Sequence, residues 1–366
     1  GLVSGLTGGT SMITYTNDLG CQNTVVVTVN PTPTISGNAP ICIGATVQLT
    51  GSGTPDPTTP WASSNPAVAT VSNTGLVSGL TGGTSTITYL DANGCQNTVV
   101  VTINPTPTIS GNSPTCIGST VQLTGSGIPD PTTPWTSANP AVATVSNTGL
   151  VTGLTAGTST LTYLDANGCQ NSVVVTINTT ATILGNAPIC IAATLQLTGS
   201  GIPDPTTPWT SSNPAVATVS NTGLVSGITA GTSTITYMDV NGCQNTEVVT
   251  VNAAPTISGN APICLGATVQ LTGSGTPDPT TPWSSSNPAV ATVSNTGLVT
   301  GIAGGTSTIS YLDANGCQNT VVATVNDNPT ISGSTPICVG TTVQLTGSGT
   351  PDPTTPWASS NPAMAT

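Results

Sequence analysis

Twelve carboxylates and ten cysteines carry most of the acid–base, metal-binding and redox chemistry that this chain can offer, because it contains no Lys, Arg or His. Without His and Lys, the usual base near neutral pH and the amine of a Schiff base are missing, so we expect no catalytic residue and no enzyme activity. Without Lys and Arg, the chain cannot bind phosphate backbones or anionic lipid surfaces. Nucleic acid and membranes are therefore excluded as partners.

The cysteines occur at two fixed positions of a 74-residue period. One set comprises Cys21, Cys95, Cys169, Cys243 and Cys317, and the other comprises Cys42, Cys116, Cys190, Cys264 and Cys338. No CxxC pair occurs and no His is available as a co-ligand, so the pattern favours disulfides over structural zinc. Disulfides persist in oxidising compartments, which predicts an exported, extracellular protein.

The cysteines belong to a unit that recurs without insertion or deletion. Its single tryptophan recurs as Trp61, Trp135, Trp209, Trp283 and Trp357. We predict complete repeats at 31–104, 105–178, 179–252 and 253–326, the C-terminal part of a repeat at 1–30 and the N-terminal part of one at 327–366. Equal copies build length, which favours a mechanical or adhesive role. The two partial repeats need a partner, either further repeats of the same polypeptide or a neighbouring identical chain.

Within each repeat, short alternating runs such as TVQLT and STITY predict β-strands separated by turns rich in Gly and Pro. No stretch shows a helical apolar period, and no apolar run approaches the ~20 residues needed to span a bilayer. In repeat 31–104 we predict strands at Thr34–Ser36, Ile41–Ile43, Thr46–Thr50, Trp61–Ser63, Ala67–Ser72, Leu76–Gly79, Ser85–Leu90 and Thr98–Asn104. This density of short strands predicts an all-β, antiparallel sandwich.

The tryptophan of each repeat is predicted to fill the core between two sheets, since it is the only one in a small unit. The expected inward positions of the first complete repeat are Ile35, Val47, Leu49, Trp61, Val68, Val71, Leu76, Val77, Ile87, Tyr89, Val101 and Ile103. The turn at Asn93 and Gly94 joins the last two strands as a tight hairpin. The linkers between repeats are only a few residues long and contain Pro, so they leave little room for bending.

The run WASSNPAVATVSNTGLVSGLTGGTSTITY at 61–89, preceded by GATVQLTGSG at 44–53, resembles the bacterial immunoglobulin-like group 2 domain. The resemblance covers every repeat and implies a linear array of immunoglobulin-like β-sandwiches. Such domains occur in surface adhesins and invasin-like proteins. The added ICIG and NGC cysteines are similar to those of giant exported surface proteins of gliding bacteria.

This resemblance implies a structural segment of a long fibre or adhesin stalk on a bacterial cell surface, stiffened by disulfides. Its partners would be neighbouring repeats or identical chains. The alternative is a multivalent module whose loops at one pole of each repeat bind a surface glycan or protein weakly and gain avidity by repetition. The family does not itself imply a ligand.

Two carboxylates per repeat lie in loops that an immunoglobulin-like topology brings to the same pole. The candidates are Asp56, Asp91, Asp130, Asp165, Asp204, Asp239, Asp278 and Asp313. With backbone carbonyls, one pair could share a calcium ion, which is the only cofactor considered. The alternative is that each aspartate forms a turn through its own side chain, since strong calcium sites usually collect more acids.

The same topology bears on how the cysteines pair. Cys42 and Cys95 would lie at opposite ends of the last strand, too far apart for a disulfide. Stacked repeats would instead pair Cys42 with Cys169, Cys116 with Cys243, and Cys190 with Cys317. The remaining cysteines, Cys21, Cys95, Cys264 and Cys338, would then pair with repeats at or beyond the ends. A bond within one repeat stays open as the alternative, if the first strand is displaced towards the hairpin.

Overall fold

The computed structural model describes all 366 residues, as an all-β protein without helices. The chain forms two compact units, one of residues 1–180 with 240–243, and one of residues 181–239 with 244–366. No helix long and apolar enough to cross a membrane is present.

The strands of the first unit are β1 (Gly9–Thr16), β2 (Gln22–Val29), β3 (Ile35–Ser36), β4 (Ile41–Cys42), β5 (Thr46–Gln48), β6 (Thr50–Gly51), β7 (Trp61–Ser63), β8 (Ala69–Val71), β9 (Leu76–Gly79), β10 (Gly83–Leu90), β11 (Gln96–Asn104), β12 (Ile109–Ser110), β13 (Thr115–Cys116), β14 (Thr120–Gln122), β15 (Thr124–Gly125), β16 (Trp135–Ser137), β17 (Ala143–Val145), β18 (Leu150–Gly153), β19 (Gly157–Leu164) and β20 (Gln170–Asn178).

The strands of the second unit are β21 (Ile183–Leu184), β22 (Ile189–Cys190), β23 (Thr194–Gln196), β24 (Thr198–Gly199), β25 (Trp209–Ser211), β26 (Ala217–Val219), β27 (Leu224–Gly227), β28 (Gly231–Met238), β29 (Gln244–Asn252), β30 (Ile257–Ser258), β31 (Ile263–Cys264), β32 (Thr268–Gln270), β33 (Thr272–Gly273), β34 (Trp283–Ser285), β35 (Ala291–Val293), β36 (Leu298–Gly301), β37 (Gly305–Leu312), β38 (Gln318–Asn326), β39 (Ile331–Ser332) and β40 (Thr346–Gly347).

Every complete repeat has the same strand order. In repeat 31–104, one sheet runs β4-β11-β10-β7, the second runs β5-β9-β8, and β3 pairs with β6. All neighbours are antiparallel except β4, which runs parallel to β11 and aligns Cys42 with Asn104. The two sheets enclose one core within the repeat, so the predicted immunoglobulin-like sandwich is confirmed.

An aromatic pair forms the centre of each core. The rings of Trp61 and Tyr89, which face each other on β7 and β10, are tilted with centroids 4.6 Å apart. The four tryptophans of the complete repeats are at most 8% exposed, as predicted. For Trp357 the prediction was wrong. Its side chain is 50% exposed, because β39 pairs only with β40 and no tyrosine-bearing strand covers the ring.

Two other details differ from the prediction. Leu76 is 40% exposed, because Val77 next to it on β9 faces the core and adjacent residues of a strand point to opposite faces. The strand predicted at Thr46–Thr50 divides at Leu49 into β5, which pairs with β9, and β6, which pairs with β3. Leu49 is 1% exposed, and here the chain passes from one pairing partner to the other.

A serine pair with one buried member, which the alternation did not predict, joins the two sheets. Ser85 on β10 is 2% exposed, and its Oγ lies 2.8 Å from Ser63 Oγ and accepts the Asn65 N–H. Ser63 Oγ in turn donates to the Ala69 carbonyl, on the second sheet, at 2.6 Å. The same hydrogen bonds recur in the other complete repeats. Each satisfies a polar group that the core would otherwise leave unpaired.

One left-handed turn gives a direct stability prediction. Ala192, with a φ of 66°, occupies the position that is Gly44 or Gly118 in other repeats, with φ near 80°. A side chain with a Cβ is strained in this conformation, whereas glycine is not. We expect Ala192→Gly to raise the free energy of unfolding of repeat 179–252 by about 1 kcal/mol, after allowance for the greater freedom of the unfolded chain. Denaturant unfolding measures this change.

The matched control is the reverse substitution in the neighbouring repeat. Gly118→Ala should lower stability by about the same amount, because it introduces the same strain. A stabilising effect of Gly118→Ala, or none of Ala192→Gly, would contradict the strain argument.

Candidate functional site

The two cysteines of a repeat lie at opposite ends of one strand. In repeat 31–104, Cys42 is aligned with Asn104, the last residue of β11, while Cys95 directly precedes Gln96, the first. A nine-residue strand spans roughly 25 Å, and a disulfide needs Cα atoms within ~7 Å. A bond between Cys42 and Cys95 is therefore incompatible with this fold.

Three disulfides join cysteines of successive repeats instead. They are Cys42–Cys169, Cys116–Cys243 and Cys190–Cys317, with Cα–Cα distances of 5.5, 5.6 and 5.6 Å. These are the three pairs that the stacking argument predicts, and each spans 127 residues. The free cysteines are Cys21, Cys95, Cys264 and Cys338, whose pairing with further repeats stays a prediction.

Disulfide formation coincides with burial of the hairpin cysteine. Cys169, Cys243 and Cys317 are at most 1% exposed, whereas the unbonded Cys95, at the same position of its repeat, is half-buried. Solvent and reductant therefore have little access to the bonded sulfur on the hairpin side.

The hairpin itself is built by an aspartate. Asp91 Oδ1 accepts the N–H groups of Asn93 and Cys95 at 2.9 and 2.8 Å, and the Asp91 N–H donates to the Cys95 carbonyl. Gly94 adopts the positive φ of 78° that the turn requires. The burial of Asp91, which is 5% exposed, fits this structural role, and together these bonds fix the backbone direction at Cys95.

The second predicted aspartate lies beside the hairpin, as the topology suggested. Pro55 and Asp91 form an isolated β-bridge, and the Ala92 N–H donates to the Thr54 carbonyl. Asp56 Oδ1 accepts the N–H groups of Thr58 and Thr59 and the Thr58 hydroxyl at 2.7–2.9 Å.

Equivalent turn hydrogen bonds occur at Asp130, Asp165, Asp204, Asp278 and Asp313, and Asp239 also has an interaction partner. In each of these aspartates except Asp239, one carboxylate oxygen accepts the hydrogen bonds of the turn, as the turn alternative expects. No group of three or more His, Cys, Asp or Glu side chains lies close enough to hold a metal ion. Calcium at these loops stays a prediction supported by only two carboxylates per repeat.

The loop aspartates predict a loss of stability in acid. At Asp204, hydrogen bonds from the Thr206 hydroxyl and from the N–H groups of Thr207 and Thr206 lower the pKa of the carboxyl. A lowered folded pKa contributes stability that is present above the unfolded value of about 3.9 and is lost as pH falls through the folded value. We expect the melting temperature to fall below about pH 4, and to fall less for Asp204→Asn.

Thermal melts of the parent and of Asp204→Asn between about pH 2 and 6 provide the measurement. Asparagine keeps a side-chain acceptor for the turn but does not titrate, so the difference between the two proteins should narrow as the pH falls. A difference that stays constant across this range would contradict the assigned pKa direction.

Asn97 has a structural role at this site that the sequence analysis did not predict. Its Nδ2 donates to the Pro33 carbonyl at 2.7 Å, and Pro33 is a buried residue of the segment leading into the repeat. Cys95 Sγ lies 3.9 Å from the Asn30 carbonyl of the same segment. The linker is thus fastened to the hairpin. The signal was available, because Cys-Gln-Asn follows the hairpin turn in every copy.

Disulfide mapping tests the pairing directly. The chain has no Lys or Arg for trypsin, so a non-reducing peptic digest is needed. We expect cross-linked peptides containing Cys42 with Cys169, Cys116 with Cys243, and Cys190 with Cys317. A peptide linking Cys42 to Cys95 would contradict the structure, and the same digest after reduction identifies each partner.

Similarity to one curated relative extends along most of the chain. Ice-binding protein 1 of Shewanella frigidimarina (strain NCIMB 400) is 31% identical over 317 residues, which is 75% of this chain and 36% of that protein. The chain therefore spans about a third of the length of this relative.

Two solved structures also align. Invasin, a bacterial integrin-binding protein, matches with a TM-score of 0.30 and 16% identity over 82% of this chain and 80% of that chain. Domains 1–6 of the surface layer protein SbsC match with a TM-score of 0.20 and 18% identity over 86% of this chain and 57% of that chain.

The family match is extensive. Residues 25–103, 100–177, 173–251 and 256–325 each match the bacterial Ig-like domain (group 2). These segments cover most of the chain and include all four complete cores. The chain therefore belongs to the bacterial Ig-like domain (group 2) family.

Proposed function

We propose that this chain is a structural repeat segment of a long fibre or adhesin stalk outside a bacterial cell. The observation that carries the proposal is the set of three disulfides between successive repeats. A domain that only needs its own stability would place a disulfide inside its own sandwich, whereas these bonds resist separation of neighbouring domains. Disulfides persist in oxidising compartments, so they also support an extracellular location.

Two further observations support a stalk. In three of the four complete repeats the leading segment is held by the asparagine after the hairpin, as Asn171 holds Pro107 and Asn319 holds Pro255, which removes freedom at the connection. The absence of Lys and Arg leaves no trypsin-type cleavage site, which suits a surface exposed to proteases. We propose no catalytic role, since the reactive side chains of the repeats serve turns and cross-links.

Surface labelling tests this role. An antibody raised against repeat 105–178 should bind unpermeabilised cells of the source organism, and gold labelling should place it beyond the outer boundary of the cell. The same antibody on permeabilised cells controls for intracellular antigen. Label found only after permeabilisation would overturn the proposal.

Weak multivalent binding of a protein or glycan is the second candidate. Ile128 and Ile202 are 75% and 70% exposed in the loop beside the hairpin, in two successive repeats. Two exposed aliphatic side chains at the same loop position would offer two equal weak contacts, and a ligand that engages both would gain avidity. The equivalent residues in the other complete repeats are Thr54 and Thr276.

These threonines supply the matched control. The double variant Ile128→Thr/Ile202→Thr keeps a residue that the chain itself uses at this position, so the fold is retained. Retention of the parent chain on a glycan or surface-protein array, lost in the variant, would support the binding module. Absence of any retained ligand for the parent would leave the stalk as the sole function.

A further inference from the structure

We propose that the inter-repeat disulfides form a covalent bypass that carries tension past the sandwiches, so that most of the chain cannot be pulled out. The inference rests on the proposed stalk only in that a stalk is what bears tension. The bypass itself follows from which cysteines are bonded, and a pulling experiment tests it without reference to where the protein is located.

The bonds shorten the covalent path from one end of the chain to the other. From residue 1 the path runs to Cys42, crosses to Cys169, continues to Cys190 and crosses to Cys317. Only residues 1–42, 169–190 and 317–366 lie on it, roughly 114 of the 366 residues. Residues 43–168 and 191–316 form side loops that tension cannot straighten while both bonds hold.

The side loops contain the centres of all four cores. They include every tryptophan–tyrosine pair of the complete repeats, from Trp61 with Tyr89 to Trp283 with Tyr311. Even if a sandwich opened under load, these residues would stay within a closed loop, which limits how far they can separate from one another. Because the loop is already closed, refolding costs less chain entropy than it would in an open chain.

The path between the two crossing points has little slack. Residues 169–190 include the nine-residue strand β20, which is already extended and pairs with β19 and β13. They also include β21 and β22, which leaves only short connecting segments to straighten. A strand gains almost no length when it is pulled taut, so oxidised repeats should resist lengthening from the first increments of force.

The third bond has a different role. Cys116 and Cys243 both lie inside the side loops, so the Cys116–Cys243 bond is off the shortest path. It becomes part of the shortest route only when one of the other two bonds is missing. The three bonds are therefore unequal under tension, although their Cα–Cα distances are 5.5, 5.6 and 5.6 Å.

Single-molecule pulling of the full chain, held at residues 1 and 366, tests the bypass. After all sandwiches have unfolded, we expect a contour length of ~400 Å for the oxidised protein and ~1,280 Å in reductant, about a threefold difference. Bonds within single repeats would instead leave roughly 158 residues on the path and give ~550 Å. Equal lengths with and without reductant would overturn the proposal.

Two matched double variants sharpen the test, and mass spectrometry beforehand establishes that each retains its other two bonds. Cys42→Ala/Cys169→Ala should lengthen the oxidised chain to ~770 Å. The shortest path then crosses from Cys116 to Cys243, runs back along the chain to Cys190 and crosses from there to Cys317. Cys116→Ala/Cys243→Ala should leave it at ~400 Å. If the second variant lengthened as much as the first, the bypass would be wrong. Contour length does not depend on whether a variant refolds, so a folding defect cannot hide the result.

Discussion

Removal of one inter-repeat bond by Cys116→Ala/Cys243→Ala should lower the free energy of unfolding by up to about 5 kcal/mol. The bond spans 127 residues, so its loss frees a long loop in the unfolded chain and raises the entropy of that state. The native contacts of each core lie within one repeat and stay in place. Guanidinium unfolding under oxidising conditions measures the change.

The control for this prediction is Cys264→Ala, because Cys264 is exposed and unbonded. That substitution should change stability by less than about 0.5 kcal/mol. Reductant should lower the stability of the parent protein at least as far as the double variant, since it also breaks the other two bonds. A double variant that unfolds at the parental denaturant concentration would contradict the cross-link argument.

Substitution of the central aromatic residue should have a comparable effect confined to one repeat. Trp209 is 7% exposed and its ring lies 4.6 Å from that of Tyr237. Truncation to alanine should cost about 3–5 kcal/mol, which approaches the whole stability of a domain this small. We expect Trp209→Ala to abolish hydrogen-exchange protection in β28 while β10, β19 and β37 stay protected.

Trp357→Ala provides the comparison within the same chain. The side chain of Trp357 is 50% exposed, so its truncation should cost less than about 0.5 kcal/mol and leave exchange unchanged in all four complete repeats. Parental protection of β28 in Trp209→Ala would show that the aromatic pair is not the centre of the core.

The strand positions were predictable because alternation is a local property of the sequence. The strand predicted at Ser85–Leu90 is observed at Gly83–Leu90, and the one predicted at Ala67–Ser72 is observed at Ala69–Val71. The hairpin followed from its Asn-Gly turn. None of these predictions depended on which strands pair with each other.

The details that depend on pairing were less accessible. Leu76 and Val77 are equally apolar, and only the alignment of Val77 with Val47 and Val71 decides which faces inward. The buried Ser85 has the composition of a surface residue. Its place in the core depends on Ser63 and the Ala69 carbonyl, which come together only in the folded sandwich.

Among the site residues, the cysteine pairs followed from strand length and the turn aspartates from the usual chemistry of loops. The hydrogen bond from Asn97 to Pro33 joins residues 64 positions apart, so no local pattern reveals its partner. A repeated Cys-Gln-Asn could have suggested a role for this asparagine, but the partner is a backbone carbonyl, which has no sequence signature.

The order of the cysteines constrains how a cell can make this protein. During synthesis, Cys42 is followed by Cys95 and Cys116 before its bonded partner Cys169 emerges. A thiol oxidised against the first available neighbour would form a wrong bond, which only exchange with another thiol can undo. Once the sandwich has formed, β11 keeps Cys42 and Cys95 at its two ends and prevents that error. Folding of each repeat before its cysteines are oxidised therefore avoids the error, whereas oxidation that outpaces folding would leave the chain in misconnected forms until thiol exchange corrects them.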